Sequence, residues 1–130
     1  MKIKKLRIPL TLILLIVIDQ LTKLFFTTTR NYGAAFGILQ GKNTLFILIS
    51  ILVILLAFTQ LKHQKYSFPL ILLIAGSFSN LIDRLFLGYV RDFISLPLLS
   101  FWPSFNIADC FLTIGFFWLI TKIIKLQTKK

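Results

Sequence analysis

Four carboxyl groups are all the acid this chain has: Asp19, Asp83, Asp92 and Asp109, with no Glu anywhere. Each lies in or beside a long apolar run, and none sits in a segment where plain solubility would explain it. A carboxylate held in or against an apolar span is costly, so each is a functional candidate until a partner is found for it. Asp19 has one within reach. Lys23 stands four residues later, on the same face of a helix, and the two read as a structural ion pair. Asp83 is beside Arg84 and three residues after Asn80. At helical spacing Gly76, Asn80 and Asp83 share one polar face, the pattern of a hydrogen-bonded seam between helices. Arg84 can alternatively offer a forked donor to a peptide carbonyl or a lipid phosphate.

Asp92 and Asp109 are different, because neither has a cation at helical spacing. Asp92 follows Gly88 in a short segment where, if the backbone is extended, Arg91 points to the opposite face. Asp109 comes about one turn into a helix announced by Pro103 and Ser104, and shares a face with Asn106 and Thr113. Two carboxyl groups in one site cannot both ionise easily, so one keeps a proton while the other stays charged. Such a pair can activate water with one member and protonate a carbonyl or leaving amine with the other, which is the chemistry of aspartic proteases. Spacing alone leaves structural hydrogen bonding open as the alternative.

Other chemistries lack the residues. One His (His63), one Cys (Cys110) and no Glu are too few of the usual ligands for a zinc site. His63 falls between the second and third apolar runs, on the cytoplasmic side and away from the acids, which also defeats a Ser–His–Asp triad. No Ser lies near Lys23 or Lys42 in sequence, and no Gly-rich phosphate loop is present. We expect no metal and no cofactor.

The elements that must position these acids are membrane helices. Of the 130 residues, 57% are hydrophobic and 15% charged, against about 25% charged in a soluble domain. A soluble fold of this length could not bury so much Phe, Ile and Leu. The net charge of +11 does not indicate nucleic acid, because the basic residues cluster at the ends and between apolar runs. Four runs are long enough to cross a bilayer, at about 8–26, 44–61, 66–82 and 105–121. The first reads as an uncleaved helix rather than a signal peptide, since no small residue pair precedes Ala34. Ten cations (Lys2, Lys4, Lys5, Arg7, Lys62, Lys65, Lys122, Lys125, Lys129, Lys130) fall on one side and three (Arg30, Lys42, Arg91) on the other. Both termini are therefore expected in the cytoplasm. The fold class that follows is an all-α integral membrane protein. It is a single domain, 1–130, forming an antiparallel four-transmembrane-helix bundle with a small extracytoplasmic cap and a possible short β segment.

Four blocks of polar residues carry a resemblance: Asp19-Gln-Leu-Thr-Lys23, Asn31-Tyr-Gly-Ala-Ala-Phe36, Asn80-Leu-Ile-Asp-Arg84 running on through Gly88-Tyr-Val-Arg-Asp-Phe93, and Phe105-Asn-Ile-Ala-Asp109. In content, order and placement relative to the four spans, the chain resembles the lipoprotein signal peptidases, the signal peptidase II family, over roughly residues 8–121. The resemblance implies an aspartic endopeptidase of the bacterial inner (cytoplasmic) membrane. Such an enzyme removes the signal peptide of a prolipoprotein just before a cysteine that carries diacylglyceryl. It implies Asp92 and Asp109 as the catalytic pair and Asn31, Asn80, Arg84 and Asn106 as residues that hold substrate or water. Asp19, Lys23 and Asp83 fall at structural positions, and Gly33-Ala-Ala35 would let a chain approach closely. The implied partners are the diacylglyceryl-cysteine signal peptide and membrane lipid, with no nucleic acid; the sequence leaves the oligomeric state open, with a monomer the favoured expectation.

The chain departs from the family in two places. Ser79 stands where Gly usually precedes the Asn, with Ala75 and Ser77 where Gly and Ala are common. Only eleven residues separate Asp19 from Asn31, so Phe26-Thr-Thr-Thr-Arg30 can supply at most a stub of the family's outer β platform. The rival readings are a small four-helix proton-coupled transporter and a non-enzymatic assembly factor. The first would need an unpartnered acid deep in the first helix; the second has no need of acids at both 92 and 109.

Overall fold

The computed structural model of the chain describes residues 2–33, 38–63 and 67–128. The expected start of the third span at 66, and Ala34 and Ala35 of the close-approach motif, lie outside the described residues. The elements in order are α1 (Lys2–Phe25), β1 (Thr29–Asn31), α2 (Asn43–Gln60), α3 (Ser67–Leu87), β2 (Val90–Asp92) and α4 (Ile107–Gln127). All four helices are long and apolar enough to cross a membrane. Their outer faces carry exposed Leu, Ile and Phe, such as Leu14, Leu52, Leu85 and Phe117. That is the surface a bilayer requires and water would penalise. The molecule is a helical membrane bundle with a two-stranded cap.

Helix α3 is the axis of the bundle and packs against each of the other three. Thirteen of its residues are buried, against only Ile54 and Ala57 in α2. The apolar core gathers Leu12, Ile54, Ala57, Leu70, Ile71, Ile74, Ala75 and Leu81 around it. Small residues set how closely α4 approaches. A Cβ added at Gly76 would stand 2.6 Å from the Ala108 carbonyl oxygen, and one at Gly115 would stand 2.9 Å from that of Pro69. The two backbones therefore touch at both ends of their crossing, as small-residue seams in membranes allow.

Four helix ends differ by two residues or more from the sequence-based bounds. Helix α1 starts at Lys2 rather than 8. Helix α3 continues past 82 to Leu87 and stops at Gly88, whose φ of +82° is a left-handed conformation that glycine adopts without strain. Helix α4 starts at Ile107 rather than 105 and runs on to Gln127. Its N-cap is Asn106, not Ser104. The Asn106 side chain accepts from the Asp109 N–H, while the Asp109 carboxylate accepts from the Asn106 N–H, a reciprocal capping box. Lys122 and Lys125 fit inside the helix because their long stems can reach the interface.

The cap is as small as the short first loop requires. Strands β1 and β2 pair antiparallel over three residues each, Thr29 opposite Asp92, Arg30 opposite Arg91 and Asn31 opposite Val90. Stacked rings of Phe26 and Phe93, with centroids 5.2 Å apart, tie the end of α1 to the end of β2.

Candidate active site

Beneath the cap lies a fully buried ionic cluster. Lys23 Nζ is 2.7 Å from Asp19 Oδ2 and 3.2 Å from Asp83 Oδ2, and donates to Asn80 Oδ1 at 3.0 Å. The expected i,i+4 pair is thus present, but the lysine is shared by two acids. Asp19 also accepts from the Ser79 hydroxyl (2.7 Å) and from the backbone N–H of Ala108 (2.8 Å). It therefore ties α1 to α3 and to the first turn of α4, and satisfies one of that helix's orphan donors. Ser79, the departure from the family pattern, is fully buried and supplies a hydrogen bond that glycine could not.

Asp83 does not pair with its neighbour Arg84. It takes Arg91 instead, with Arg91 Nη2 at 2.8 Å from Oδ1 and the Arg91 backbone N–H donating to Oδ2 at 3.0 Å. Gln20 completes this corner by accepting from Arg91 Nη2 (2.7 Å) and donating to Asp83 and Ser79. Strand alternation explains the arrangement: Arg91 turns to Asp83 while Asp92 turns the other way.

On that other side the structure brings together Asp92, Asp109, Asn31, Asn80 and Asn106. Asn106 grips both acids. Its side-chain nitrogen donates to Asp92 Oδ1 at 2.7 Å, and its backbone N–H donates to Asp109 Oδ2 at 3.1 Å. Asn31 Nδ2 donates to Asp92 Oδ2 (3.0 Å), and Asn80 Nδ2 donates to Asp109 Oδ1 (2.8 Å). The amides are themselves oriented. Asn31 Oδ1 accepts from the Gly33 N–H, and Asn80 Oδ1 accepts from both Lys23 and Asn106. Thr29 adds a hydroxyl bond to the Asp92 carbonyl (3.2 Å), fixing the strand that carries the acid. Burial pushes the Asp92 carboxyl up to about 6, and the nearby charge of Asp109 adds to that; Asn31 and Asn106 oppose it.

Arg84 lines the same site, but its guanidinium is engaged within the chain. It donates to the Gly33 carbonyl at 3.0 Å and to Asn43 Oδ1 at 3.4 Å, and lies over the Phe46 ring, 4.7 Å from its centroid. The peptide carbonyl it holds in this state belongs to the first outer loop. Gln20, Asn43, Ser79, Arg91 and Thr29 are the polar residues that sequence reasoning did not assign to the site.

Two cavities meet here. A groove of about 1170 Å³ runs between α2, α3 and α4 from Asn31, Arg84 and Asp109 down to Gln60 and Leu119, with mostly apolar walls. A second cavity of about 160 Å³ touches Thr29, Gln40 and Asp92. Both share Asn31, Pro103 and Ser104 as walls. Asp109 therefore faces the long apolar groove and Asp92 the small polar cavity, with the asparagines between them.

Residues 11–125 match the family model described as signal peptidase (SPase) II. A lipoprotein signal peptidase of Streptococcus agalactiae serotype Ia is 41% identical over 146 aligned positions, covering 94% of each chain. One from Staphylococcus aureus strain JH9 is 34% identical over 143 positions, covering 91% of this chain and 88% of its own. A solved bacterial membrane enzyme superposes with a TM-score of 0.86 at 31% identity, covering 95% of this chain and 91% of that one. A second superposes at 0.79, also at 31% identity, covering 92% and 93%.

Proposed function

The chain belongs to the signal peptidase II family, and from that premise we propose that Asp92 and Asp109 form the catalytic pair of an aspartic endopeptidase acting on lipoprotein precursors. As a family member it is a multi-pass bacterial membrane peptidase that removes signal peptides from lipoproteins. The finer reading is that it cuts just before the diacylglyceryl cysteine, using water activated by carboxylate and no covalent intermediate.

The observation that carries this reading is the double grip of Asn106 on both acids. All four carboxylate oxygens already accept a protein N–H: two on Asp92 from Asn31 and Asn106, two on Asp109 from Asn80 and Asn106. When one member is protonated, its O–H has to point away from those donors, into the cavity where water and a scissile carbonyl can meet it. The charged member then takes a proton from the water as it attacks, and the neutral member gives its proton to the carbonyl oxygen. On collapse of the tetrahedral intermediate the leaving amine takes a proton back from the pair. A signal helix fits the long apolar groove, and its acyl chains can stay in lipid. Asn31, Asn80 and Asn106 hold the pair and are placed to meet the substrate backbone, and Arg84 holds the loop above it.

The test is cleavage by purified protein in lipid of one precursor offered with and without diacylglyceryl on its cysteine. Acyl chains in the bilayer fix the scissile bond at interface depth, replacing a three-dimensional search by a set geometry. We expect cleavage only of the lipid-modified form, unchanged by chelator, since among the described residues no three His, Cys, Asp or Glu side chains gather to hold a metal ion. Equal rates for the two forms, or loss of activity with chelator, would contradict the mechanism.

The orientation we propose puts both termini in the cytoplasm and the pair at the outer face. A reporter that works only outside the cytoplasm should be silent when fused after Lys130; a signal there inverts the topology.

The pH profile should carry the signature of the pair. Burial pushes the Asp92 carboxyl up to about 6, so the singly protonated pair is expected to be lost as pH rises past that range. The apparent values belong to the two acids together. Asn31 favours the charged form of Asp92, so removing it lets the proton stay longer. Asn31→Ala is expected to move the alkaline limb of kcat/KM upward by about one pH unit, the worth of one hydrogen bond to a charged group. A downward shift would assign that limb elsewhere.

A further inference from the structure

The segment joining β2 to α4 is bracketed by the two halves of the candidate site. It leaves Asp92 and returns at Asn106, and from Phe93 to Phe105 it contains no charged residue. Its base is clasped. The Phe93 and Ile94 N–H groups both donate to the Phe105 carbonyl (3.1 and 2.9 Å), and the Phe105 N–H donates back to Ile94 (3.0 Å). The Ser95 and Ser104 hydroxyls meet at 3.0 Å just beyond. Two successive turns form the tip, closed from Leu99 N–H to the Leu96 carbonyl (2.9 Å) and from Trp102 N–H to the Leu99 carbonyl (2.7 Å).

The tip presents bulky apolar groups outward. Leu98 is 98% exposed and Phe101 71% exposed. A loop standing in water is normally rich in polar residues, and an uncovered apolar cluster there marks an interaction site. Depth indicates what covers this one. Helices α3 and α4 have 21 residues each, about 31 Å at 1.5 Å per residue, matching a hydrocarbon core of about 30 Å. The loop base, between Leu87 and Ile107, therefore lies at the membrane–water boundary. Trp102, of a type enriched at that boundary, sits beside the tip and also walls the apolar groove, with Phe105 and Phe116 further along. The tip is thus continuous with the apolar groove between the membrane-spanning helices. A protein partner would call for a polar rim around the apolar centre, and this segment has no charge to build one with.

We infer that the 94–104 hairpin is a lipid anchor: its tip, Leu98 and Phe101 with Trp102 beside them, inserts into the leaflet on the side of the two acids, and its clasped base sets the depth of Asp92 and Asn106. Insertion is independent of the proposed activity; the coupling of depth to cleavage rests on it.

The first test reads depth alone. Leu98→Cys in a Cys110→Ala background carries a nitroxide, and the protein is reconstituted in vesicles of phosphatidylcholine and phosphatidylglycerol. Oxygen, which concentrates in lipid, should relax the label more than a water-soluble nickel chelate. Relaxation dominated by nickel would place the tip in water, and a label shielded from both would place it against protein; either result overturns the anchor. The second test reads coupling with the Leu98→Asp/Phe101→Asp variant, both residues lying outside the catalytic machinery. Cleavage in vesicles is expected to fall about tenfold, as for a misplaced scissile bond, with the thermal midpoint in detergent unchanged. An unchanged rate in vesicles would overturn the coupling. Absence of cleavage by the unaltered protein would instead count against the proposed function and leave the depth measurement standing.

Discussion

Asp92→Asn and Asp109→Asn are each expected to reduce cleavage of a lipid-modified precursor by about 10²–10⁴-fold, the range for loss of a positioned general acid or base. The amide keeps the size of the carboxyl but cannot exchange a proton. It also changes the local bonding. Asp109 accepts from Asn80 on one oxygen and from the Asn106 backbone on the other, so an amide there sets an NH₂ against one of two donors. Asn80 cannot simply turn round, because its own oxygen is held by Lys23 and Asn106. Asp92 is similar, facing Asn31 and Asn106. Each variant should therefore lose about 1–3 kcal/mol of stability for the stranded donor. That is small beside the effect on rate, and a thermal midpoint measured in the same lipid separates the two. A folded Asp92→Asn protein with near-normal turnover would remove Asp92 from the pair.

What the sequence made legible follows from locality. The i,i+4 spacing of Asp19 and Lys23 lies along one helix, so a pattern rule reaches it. The same rule isolates Asp92 and Asp109 by showing that no cation stands at helical distance from either. The polar face of α3 is equally local, and Asn80 and Asp83 both use it to reach other elements. The partner of Asp83 was not legible. Arg91 reaches it from a strand beyond a chain reversal at Gly88, and only the three-residue pairing of β1 with β2 fixes that reversal. Nor was the sharing of Lys23, since Asp83 meets it across the α1–α3 interface. Ser79 stood out in sequence as an oddity. Its purpose appears only when Asp19 and Gln20 arrive from 60 and 59 residues away. Arg84 reads in sequence as a free donor, whereas packing brings the Gly33 carbonyl and Asn43 to it. Side chains that bond across helices have no periodic signature, because the crossing point depends on how closely small residues such as Gly76 let the backbones come.

That sharing changes which substitution harms the scaffold most. Asp19→Asn leaves Lys23 with Asp83 and Asn80, so the lysine is not stranded. Lys23→Met is the severe change. Its side chain is fully buried, and the cluster of Asp19, Asp83, Lys23 and Arg91 is neutral only while Lys23 is charged. Removing it leaves one buried negative charge in excess, a loss of about 3–5 kcal/mol for a broken buried pair. Lys23→Arg offers no rescue, because a forked guanidinium has no room where the ammonium is held at 2.7 to 3.2 Å by three groups. We expect the Met variant to melt well below the parent in lipid or detergent. Adding Asp19→Asn to it should recover part of the loss, since the excess charge is then gone. Strict additivity of the two single losses would show that Asp19 and Lys23 do not interact energetically. Any folded Met variant should also cleave poorly beyond what its stability explains. Lys23 holds Asn80 Oδ1, and that bond keeps Asn80 Nδ2 aimed at Asp109, so the lysine orients an acid it never touches.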